Sequence, residues 1–177
     1  EPFADSSALA VFILSEKTSE HVKVVLSGDG GDELFAGYRK HTALCRSEKA
    51  DIANWLLKMG SPLIPGEIGN RENPWKDQLR KVKKYADGLQ HPLSLRYWSW
   101  LEWTPSRKVS ELLLNPQRDE ELEQAIQSII NSGDLNSVLL ADQSFLQPND
   151  MLTKVDRMSM AHGLEARTPF LDHKLVN

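Results

Sequence analysis

The sequence contains a single cysteine among its 177 residues. One cysteine excludes an internal disulfide and a metal site built from several thiolates. Its five histidines show no i,i+4 pair and no other ligand spacing, so we assign none of them to a metal or to catalysis. Cys45 falls within a predicted helix, and we expect it to be a small packing residue.

Excess positive charge and long apolar runs are missing as well. The formal net charge is −4 and the isoelectric point is about 5.7, so nucleic acid is not an expected partner. No apolar run approaches the ~20 residues that a membrane-spanning helix needs, and no charged-then-apolar leader opens the chain. We therefore expect a cytoplasmic protein with no membrane partner.

One stretch is organised as a strand, a glycine-rich loop and a helix. The β-branched run Val22–Leu26 is followed by Ser27-Gly28-Asp29-Gly30-Gly31-Asp32-Glu33, and an apolar helical pattern begins at Leu34. The glycines allow main-chain N–H groups to approach a ligand oxygen closely. A helix N-terminus behind the loop adds partial positive charge, which favours phosphate.

The carboxylates of Asp29, Asp32 and Glu33 would repel a bare phosphate. We therefore expect Mg²⁺ between them and the ligand, since this ion is usually held by one or two carboxylates together with phosphate oxygens. The loop is a candidate Mg-nucleotide site. Two other interpretations are a plain helix cap and a calcium loop, although the spacing lacks the alternating ligands of an EF-hand.

Elsewhere the sequence predicts helices almost throughout. The central strand should have parallel neighbours. We expect the rest of the sheet to lie upstream of Glu1, which would leave sheet surface exposed or paired with a second copy as a homodimer. The aromatic cluster around Trp100 is either core packing or a base-stacking platform. The predicted helices cover about 8–16, 47–59, 74–87, a Trp-rich segment from 92, 106–114, 117–131, 136–147 and 150–162, with a long surface loop over 61–74.

The helix predicted over 150–162 carries an apolar stripe and two cations, Lys154 and Arg157, three residues apart. These cations either face phosphates across a cleft or form solvated pairs, Lys154 with Asp150 at i,i+4 spacing. Asp156 and the nearby Glu165 and Arg167 are expected to form buried ion pairs that brace this segment.

Two segments resemble the nucleotide-binding signatures of the asparagine synthetase family. The first is Ser27–Tyr38, similar to S-G-(E/D)-G-x-D-E-(L/V)-F-G-G-Y. The second is Asp150–Asp172, similar to L-x-K-x-D-R-x-S-M-A-x-x-L-E-x-R-x-P-F-L-D. With the opening Glu1-Pro2-Phe3-Ala4-Asp5, the resemblance runs from end to end of the chain and is weakest over about 46–136.

The resemblance implies a helix-dominated α/β fold, a fragment of a Rossmann-like parallel-sheet ATP pyrophosphatase domain followed by a helical bundle. Family members activate a carboxylate with ATP, release pyrophosphate and aminate the acyl-adenylate with ammonia. In the glutamine-hydrolysing, class B type enzymes the acid is aspartate and the ammonia comes from glutamine. By position, Asp29 would be catalytic and Asp32 would hold Mg²⁺. ATP would be bound by Ser27, Gly28, Gly30, Gly31, Lys154 and Arg157.

Two positions depart from the family pattern. Asp29 stands where many members have Glu, which shortens the reach by about 1.5 Å and leaves the acceptor acid open. Ala36 replaces a commoner glycine, inside what the sequence predicts to be a helix.

Several parts of such an enzyme do not occur in this sequence: the S-G-G-x-D-S loop, the glutaminase cysteine and a lysine expected beyond Asn177. We expect 1–177 to be part of a single synthetase domain from a longer polypeptide, inactive alone. The alternatives are a family member acting on another acceptor, as in polysaccharide or peptide biosynthesis, β-lactam synthesis or peptide cyclisation, and a catalytically silent nucleotide-binding homologue.

Overall fold

The computed structural model describes residues 5–49, 51–65, 73–102, 104, 106–115, 120–130 and 134–176. The chain divides into two compact units, one formed by Glu1–Tyr38 with Leu139–Asn177 and the other by Arg39–Val138. We call these unit 1 and unit 2. Unit 2 is thus an insertion between the two sequence segments of unit 1. No helix in the described part of the chain is long and apolar enough to cross a membrane.

Unit 1 is built on a parallel pair of short strands, β1 (Val24–Leu26) and β2 (Glu165–Arg167). Val25 lies opposite Ala166 in the register. The parallel neighbour that we predicted is confirmed, and it lies within this chain, at Glu165–Arg167, rather than upstream of Glu1. Val24 and Leu26 are 42% and 75% exposed, which confirms the predicted exposure of sheet surface. A homodimer through this surface stays a prediction.

The remaining elements of unit 1 are helical. Helix α1 (Ala8–Ser19) packs against α10 (Thr153–Met160). Helix α1 is longer than predicted. Asp172 precedes α11 (His173–Val176), and its Oδ1 accepts from the main-chain N–H of Lys174 at 2.8 Å. The elements are α1 (Ala8–Ser19), α2 (Gly31–Phe35), a π-helix (Asp142–Leu152), α10 (Thr153–Met160), a 3₁₀ turn (Pro169–Leu171) and α11 (His173–Val176), with α9 (Leu135–Ala141) spanning the unit boundary.

The predicted helix break at Pro148 is absent. The chain stays helical from Leu135 to Met160, and Pro148 lies inside the π-helix. Proline has no N–H, so position 148 cannot donate a main-chain hydrogen bond within this helix. Two side chains contact main-chain carbonyls here: Asn149 donates to Phe145 at 2.8 Å, and Thr153 donates to Pro148 at 2.8 Å. Asn149 thus lies inside a continuous helix, and the predicted separate helices over 136–147 and 150–162 are one.

Unit 2 is a set of helices. Arg96 connects three of them, since its guanidinium donates to the main-chain carbonyls of Ser47, Gly88 and His91 at 3.0–3.2 Å. The core of unit 2 includes the fully buried Leu44, Tyr97 and Ile126. The elements are α3 (Arg39–Ser47), α4 (Ile52–Gly60), a 3₁₀ turn (Ser61–Leu63), α5 (Pro74–Gly88), α6 (Leu93–Leu101), α7 (Ser106–Leu112) and α8 (Glu120–Ile129).

The predicted start of α5 is confirmed, and the predicted start of α4 is wrong. Asn73 caps α5, accepting from the Trp75 N–H at 3.0 Å, as its position before Pro74 indicates. Ser47, in contrast, ends α3, and Asp51 is the cap of α4. Half of the predicted 61–74 loop, residues 66–72, lies outside the described residues, as do Trp103 and both ends of the helix predicted over 117–131.

The aromatic cluster packs inside unit 2, which confirms the core-packing interpretation. Tyr97 is 1% exposed, and the Trp100 ring stacks on Tyr85 with centroids 5.6 Å apart. The Trp100 indole also donates to the Lys84 carbonyl at 3.1 Å. Cys45 is half-buried on α3.

Candidate functional site

The glycine-rich loop begins where the pairing of β1 and β2 ends. The last hydrogen bond of the pair runs from the Ser27 N–H to the Arg167 carbonyl at 2.7 Å. The loop therefore leaves the carboxyl end of a parallel strand, where ligands bind in open α/β sheets. It also lies beside the tail of the second signature, so the structure brings the two predicted motifs together.

Ser27 orients Asp29 across the start of the loop. The Ser27 hydroxyl donates to Asp29 Oδ2, and the Asp29 N–H donates back to Ser27 Oγ at 3.4 Å. Both residues are half-buried. Because the hydroxyl occupies one carboxylate oxygen, the Asp29 side chain is held in place with its other oxygen available to a ligand.

A tight turn follows, and it is covered on one side by the end of the second signature. Gly30 has φ +92°, a left-handed conformation that favours glycine, and Gly31 donates to the Gly28 carbonyl at 3.3 Å. A Cβ at Gly30 would collide with Leu171, and one at Gly31 would lie 3.6 Å from the Phe170 ring. The 3₁₀ turn thus packs directly on the loop.

Gly28 differs from these two glycines. No described atom lies within 4 Å of the position that its Cβ would take, and the residue is exposed. Packing within the described residues therefore does not require glycine here, and this side of the loop is open to a ligand that must approach the main chain closely.

The three acidic side chains of the loop differ in their exposure to solvent and in their contacts. Asp32 is exposed and Asp29 half-buried, whereas Glu33 is only 2% exposed. The Tyr38 hydroxyl donates to Glu33 Oε1 at 2.6 Å. Burial, and then the Glu33 carboxylate, raise the pKa of Tyr38 above its usual range. Glu33 is thus a buried structural group, which leaves Asp29 and Asp32 as the loop carboxylates that could face a cation.

Asp29 and Asp32 are enough protein ligands for a Mg²⁺ ion that is bound together with a nucleotide. Among the described residues there is no group of three or more His, Cys, Asp or Glu side chains that could hold a metal. Mg²⁺ bound with a nucleotide needs only one or two carboxylates, the other ligands being phosphate oxygens and water. The donor set of the loop is compatible with that arrangement.

Helix α2 is shorter than the sequence predicted. It spans only five residues, Gly31–Phe35, and Ala36 follows with φ +59°. The macrodipole of so short a helix is small, so the phosphate attraction expected from a helix N-terminus is not an argument for this site. Ala36 lies at the left-handed position that ends the helix, which corrects its predicted place inside one.

Lys154 and Arg157 lie in different surroundings. Lys154 Nζ is 2.8 Å from Asp5 Oδ2, and the two side chains are each 11% exposed. This partner is neither a phosphate nor the predicted Asp150. Burial raises the pKa of Asp5, but hydrogen bonds from Lys154 and Ser7 outweigh it and lower the value to about 2. Arg157 is exposed on α10.

The residues expected to brace the second signature from inside are at the surface. Arg167 Nε contacts Glu165 Oε1 at 2.8 Å, but their side chains are 64% and 55% exposed. Asp156 is also exposed, and it lines a cavity of about 200 Å³ together with Glu165 and Thr168. The prediction of buried ion pairs was wrong, because β2 has no described neighbour on its far side.

A larger cavity, of about 500 Å³, lies in unit 2 between Asn54, Trp55 and Arg96. The nitrogens of Arg96 donate to main-chain carbonyls and to Ser47, so this cation serves the fold. None of the residues predicted to bind nucleotide lines this cavity. The loop in unit 1 remains the candidate site.

Comparison with known proteins agrees with the two motifs. The asparagine synthase family matches the whole chain, residues 1–177. The chain belongs to this family, whose fold is of the ATP pyrophosphatase class. No solved structure shows a significant match.

Individual relatives are distant and considerably longer. Over 97% of this chain, a protein of Bacillus subtilis (strain 168) named asparagine synthetase (glutamine-hydrolyzing) 1 is 28% identical. A Mycobacterium tuberculosis (strain ATCC 25618 / H37Rv) protein, provisionally named as a glutamine-hydrolyzing asparagine synthetase, is 26% identical over the same share. The chain spans 27% and 26% of the lengths of these two relatives.

A Methanocaldococcus jannaschii protein with the same provisional name is 54% identical, over 41 residues that make up 23% of this chain and 8% of the relative.

Sequence reasoning missed the side chains that approach the loop from the π-helix. The Gln143 amide donates to the Glu33 carbonyl at 3.3 Å, and the Gln147 amide lies against Gly30. Glutamines in a predicted helix give no signal of such contacts. Only the packing of the π-helix on α2, which joins residues more than 100 positions apart, reveals them.

Proposed function

We propose that this chain is the nucleotide-binding part of an enzyme that activates a carboxylic acid with ATP and converts it to an amide. The acid would be aspartate, the ammonia would come from glutamine, and the product would be asparagine. The observation that carries the proposal is the joining of the two signatures: the loop of the first begins at the hydrogen bond between Ser27 and Arg167 of the second.

The loop residues supply the binding groups in this proposal. The main chain of Ser27, Gly28, Gly30 and Gly31 would bind ATP phosphates, with the open side of Gly28 allowing the close approach. Asp32 would hold Mg²⁺, which neutralises charge on the departing pyrophosphate. Arg157, exposed on α10, would add a cation to the phosphates, and Lys154 would do so if it is released from Asp5.

The chemistry would proceed in two displacements. A carboxylate oxygen of the acid attacks the α-phosphorus of ATP, and pyrophosphate leaves. Ammonia then attacks the acyl carbon, AMP leaves with the bonding electron pair, and the nitrogen gives up a proton. Asp29, oriented by the Ser27 hydroxyl, would accept that proton or position the ammonia.

A different acceptor acid is the second candidate, because of Asp29. Aspartate at this position reaches about 1.5 Å less than glutamate, and Ser27 already binds one of its oxygens. An acid that extends further toward the loop would suit this geometry.

We propose that the enzyme is cytoplasmic and belongs to a longer polypeptide with a glutaminase domain and an S-G-G-x-D-S loop.

The test is release of pyrophosphate and AMP from ATP by the full-length gene product, with Mg²⁺, ammonia and a panel of acids. Release that depends on aspartate and yields asparagine supports the first candidate, and release with another acid supports the second. Asp29→Asn should lower turnover about 100-fold or more. Asp134→Asn, which changes a carboxylate of unit 2 that accepts from the Ser137 N–H, is the control and should not. An absence of ATP turnover with every acid would contradict both candidates and favour a catalytically silent nucleotide-binding homologue.

A further inference from the structure

The side-chain amide of Gln147 is buried without a hydrogen-bond partner. The residue is 5% exposed, and its Nε2 atom has no acceptor among the described residues. Folded proteins satisfy nearly all of their buried polar groups, so an amide donor left unpaired calls for a functional or structural reason.

This amide is directed at the glycine-rich loop. Nε2 lies 3.1 Å from the position that a Cβ at Gly30 would take, and Leu171 fills the rest of that space. Gly30 is itself buried. The unpaired donor therefore faces the main chain of the loop, at the residue whose left-handed conformation forms the turn.

The π-helix presents two glutamines to this region, and only one is satisfied. Gln143 donates to the Glu33 carbonyl at 3.3 Å, which fixes the helix on α2. Gln147, one turn later, has no such acceptor. Segments of π-helix occur frequently at functional sites, where the extra residue in a turn redirects a side chain. The pair provides its own control, since the Gln143 amide nitrogen donates a hydrogen bond to α2 and the Gln147 amide nitrogen donates none to the described residues.

One main-chain carbonyl of the loop accepts no hydrogen bond among the described residues and is a candidate acceptor for Gln147. The carbonyls of Gly28 and Gly30 accept from Gly31 and Leu34. Within the described residues, the Asp29 carbonyl accepts no hydrogen bond. The C=O and N–H of a trans peptide point in opposite directions. Turning the Asp29–Gly30 peptide so that its carbonyl faces Gln147 would therefore point the Gly30 N–H away, to the other side of the loop.

We propose that Gln147 is a positioning residue for the nucleotide loop. When an ATP phosphate binds, the Asp29–Gly30 peptide turns, Gln147 donates to the Asp29 carbonyl, and the Gly30 N–H donates to a phosphate oxygen. The Gln147 amide, which has no acceptor among the described residues, would gain one when phosphate binds. This inference rests on the proposed function, because it requires a phosphate ligand at the loop.

The experiment compares Gln147→Met with Gln143→Met in the full-length gene product. Methionine keeps the length of the side chain and removes the donor. Three quantities are measured: the melting temperature without ligand, the affinity for Mg-ATP, and the protection of amide hydrogens over residues 28–35 on adding Mg-ATP.

For Gln147→Met we expect an unchanged or higher melting temperature, about 2- to 12-fold weaker Mg-ATP binding, which is the effect of one hydrogen bond, and reduced ligand-induced protection. Gln143→Met should lower the melting temperature and leave affinity and protection as in the wild type.

Four results would overturn the proposal. A lower melting temperature for Gln147→Met with wild-type affinity would make Gln147 a packing residue. Weaker binding with protection retained would mean that Gln147 contacts the ligand directly. A wild-type protein that binds no Mg-ATP would refute the proposed function, and this inference with it, whereas equal binding by wild type and Gln147→Met would refute the inference alone.

Discussion

The ammonium nitrogen of Lys154 lies 2.8 Å from the carboxylate of Asp5, although 149 positions separate the two residues. This contact fastens the start of the chain to the helix of the second signature. Lys154 belongs to the second signature. A test of phosphate binding by this lysine therefore has to separate that role from its ion pair with Asp5.

Asp5→Asn should destabilise the fold by about 1.5–3 kcal/mol at neutral pH, because the neutral amide leaves the nearly buried Lys154 ammonium without an opposite charge. The folded-state pKa of Asp5, about 2, lies below its ordinary value of 3.8. The stabilisation is therefore present above pH 4 and is lost as the pH falls from about 4 to about 2. Urea unfolding across this range should show a smaller acid-induced loss in the variant, and parallel wild-type and variant curves would contradict the assignment.

A double-mutant cycle separates the two roles of Lys154. If Lys154 acts only through Asp5, then Lys154→Met and Asp5→Asn will be non-additive in unfolding free energy and neither will change the affinity for Mg-ATP. If Lys154 also binds phosphate, only Lys154→Met will weaken Mg-ATP binding. Isothermal titration of the single and double variants in the full-length gene product distinguishes these outcomes.

Ala36→Gly should stabilise the protein by about 1 kcal/mol. Ala36 has φ +59°, and a left-handed conformation costs a residue with a Cβ about 1–2 kcal/mol, part of which the greater chain entropy of glycine offsets. Thermal unfolding measures the change. Ala36→Val, which adds a β-branched side chain at the same position, should do the reverse, and stabilisation by valine would show that the helix continues through Ala36.

Gly28→Ala should leave stability nearly unchanged and weaken the binding of Mg-ATP at least tenfold. Its methyl group would meet no described atom within 4 Å, so a loss of affinity would come from a clash with the ligand. Gly60→Ala is the matched control, since its Cβ also meets nothing and it lies in α4 of unit 2. Wild-type affinity in Gly28→Ala would place the phosphates elsewhere.

Tyr38→Phe should lower the unfolding free energy by about 1.5–3 kcal/mol, because the buried Glu33 carboxylate loses the donor at 2.6 Å. Its Mg²⁺ dependence of ATP turnover should match that of the wild type. An increased Mg²⁺ requirement in this variant would mean that Glu33 takes part in binding the ion.

The parts of the fold with local signals were predictable. Asn73 and Pro74 mark the start of α5, and the β-branched run marks β1, because caps and strand patterns act over a few residues. The left-handed Ala36 and the helical path through Pro148 were not. Both are set by packing that overrides the ordinary preference of alanine for helices and of proline for helix ends.

The candidate site was predictable as a loop but not in its details. Glycine and acid spacing indicated where a nucleotide would bind, yet no pattern shows that Glu33 turns inward to Tyr38 while Asp32 faces outward. Lys154 and Gln147 depend on partners far away in sequence, Asp5 and Gly30, and such contacts are invisible before the chain is folded.

The parallel pairing of Val24–Leu26 with Glu165–Arg167 has a consequence for the ancestry of this chain. Both signatures depend on a contact between segments that flank the whole of Arg39–Val138. Insertions and deletions within that interval leave the strand register unchanged. A recombination that replaced only one flanking segment, in contrast, would have to supply a strand that still pairs with the strand of the other segment. The two ends should therefore be inherited together, while the interval between them is free to diverge in length.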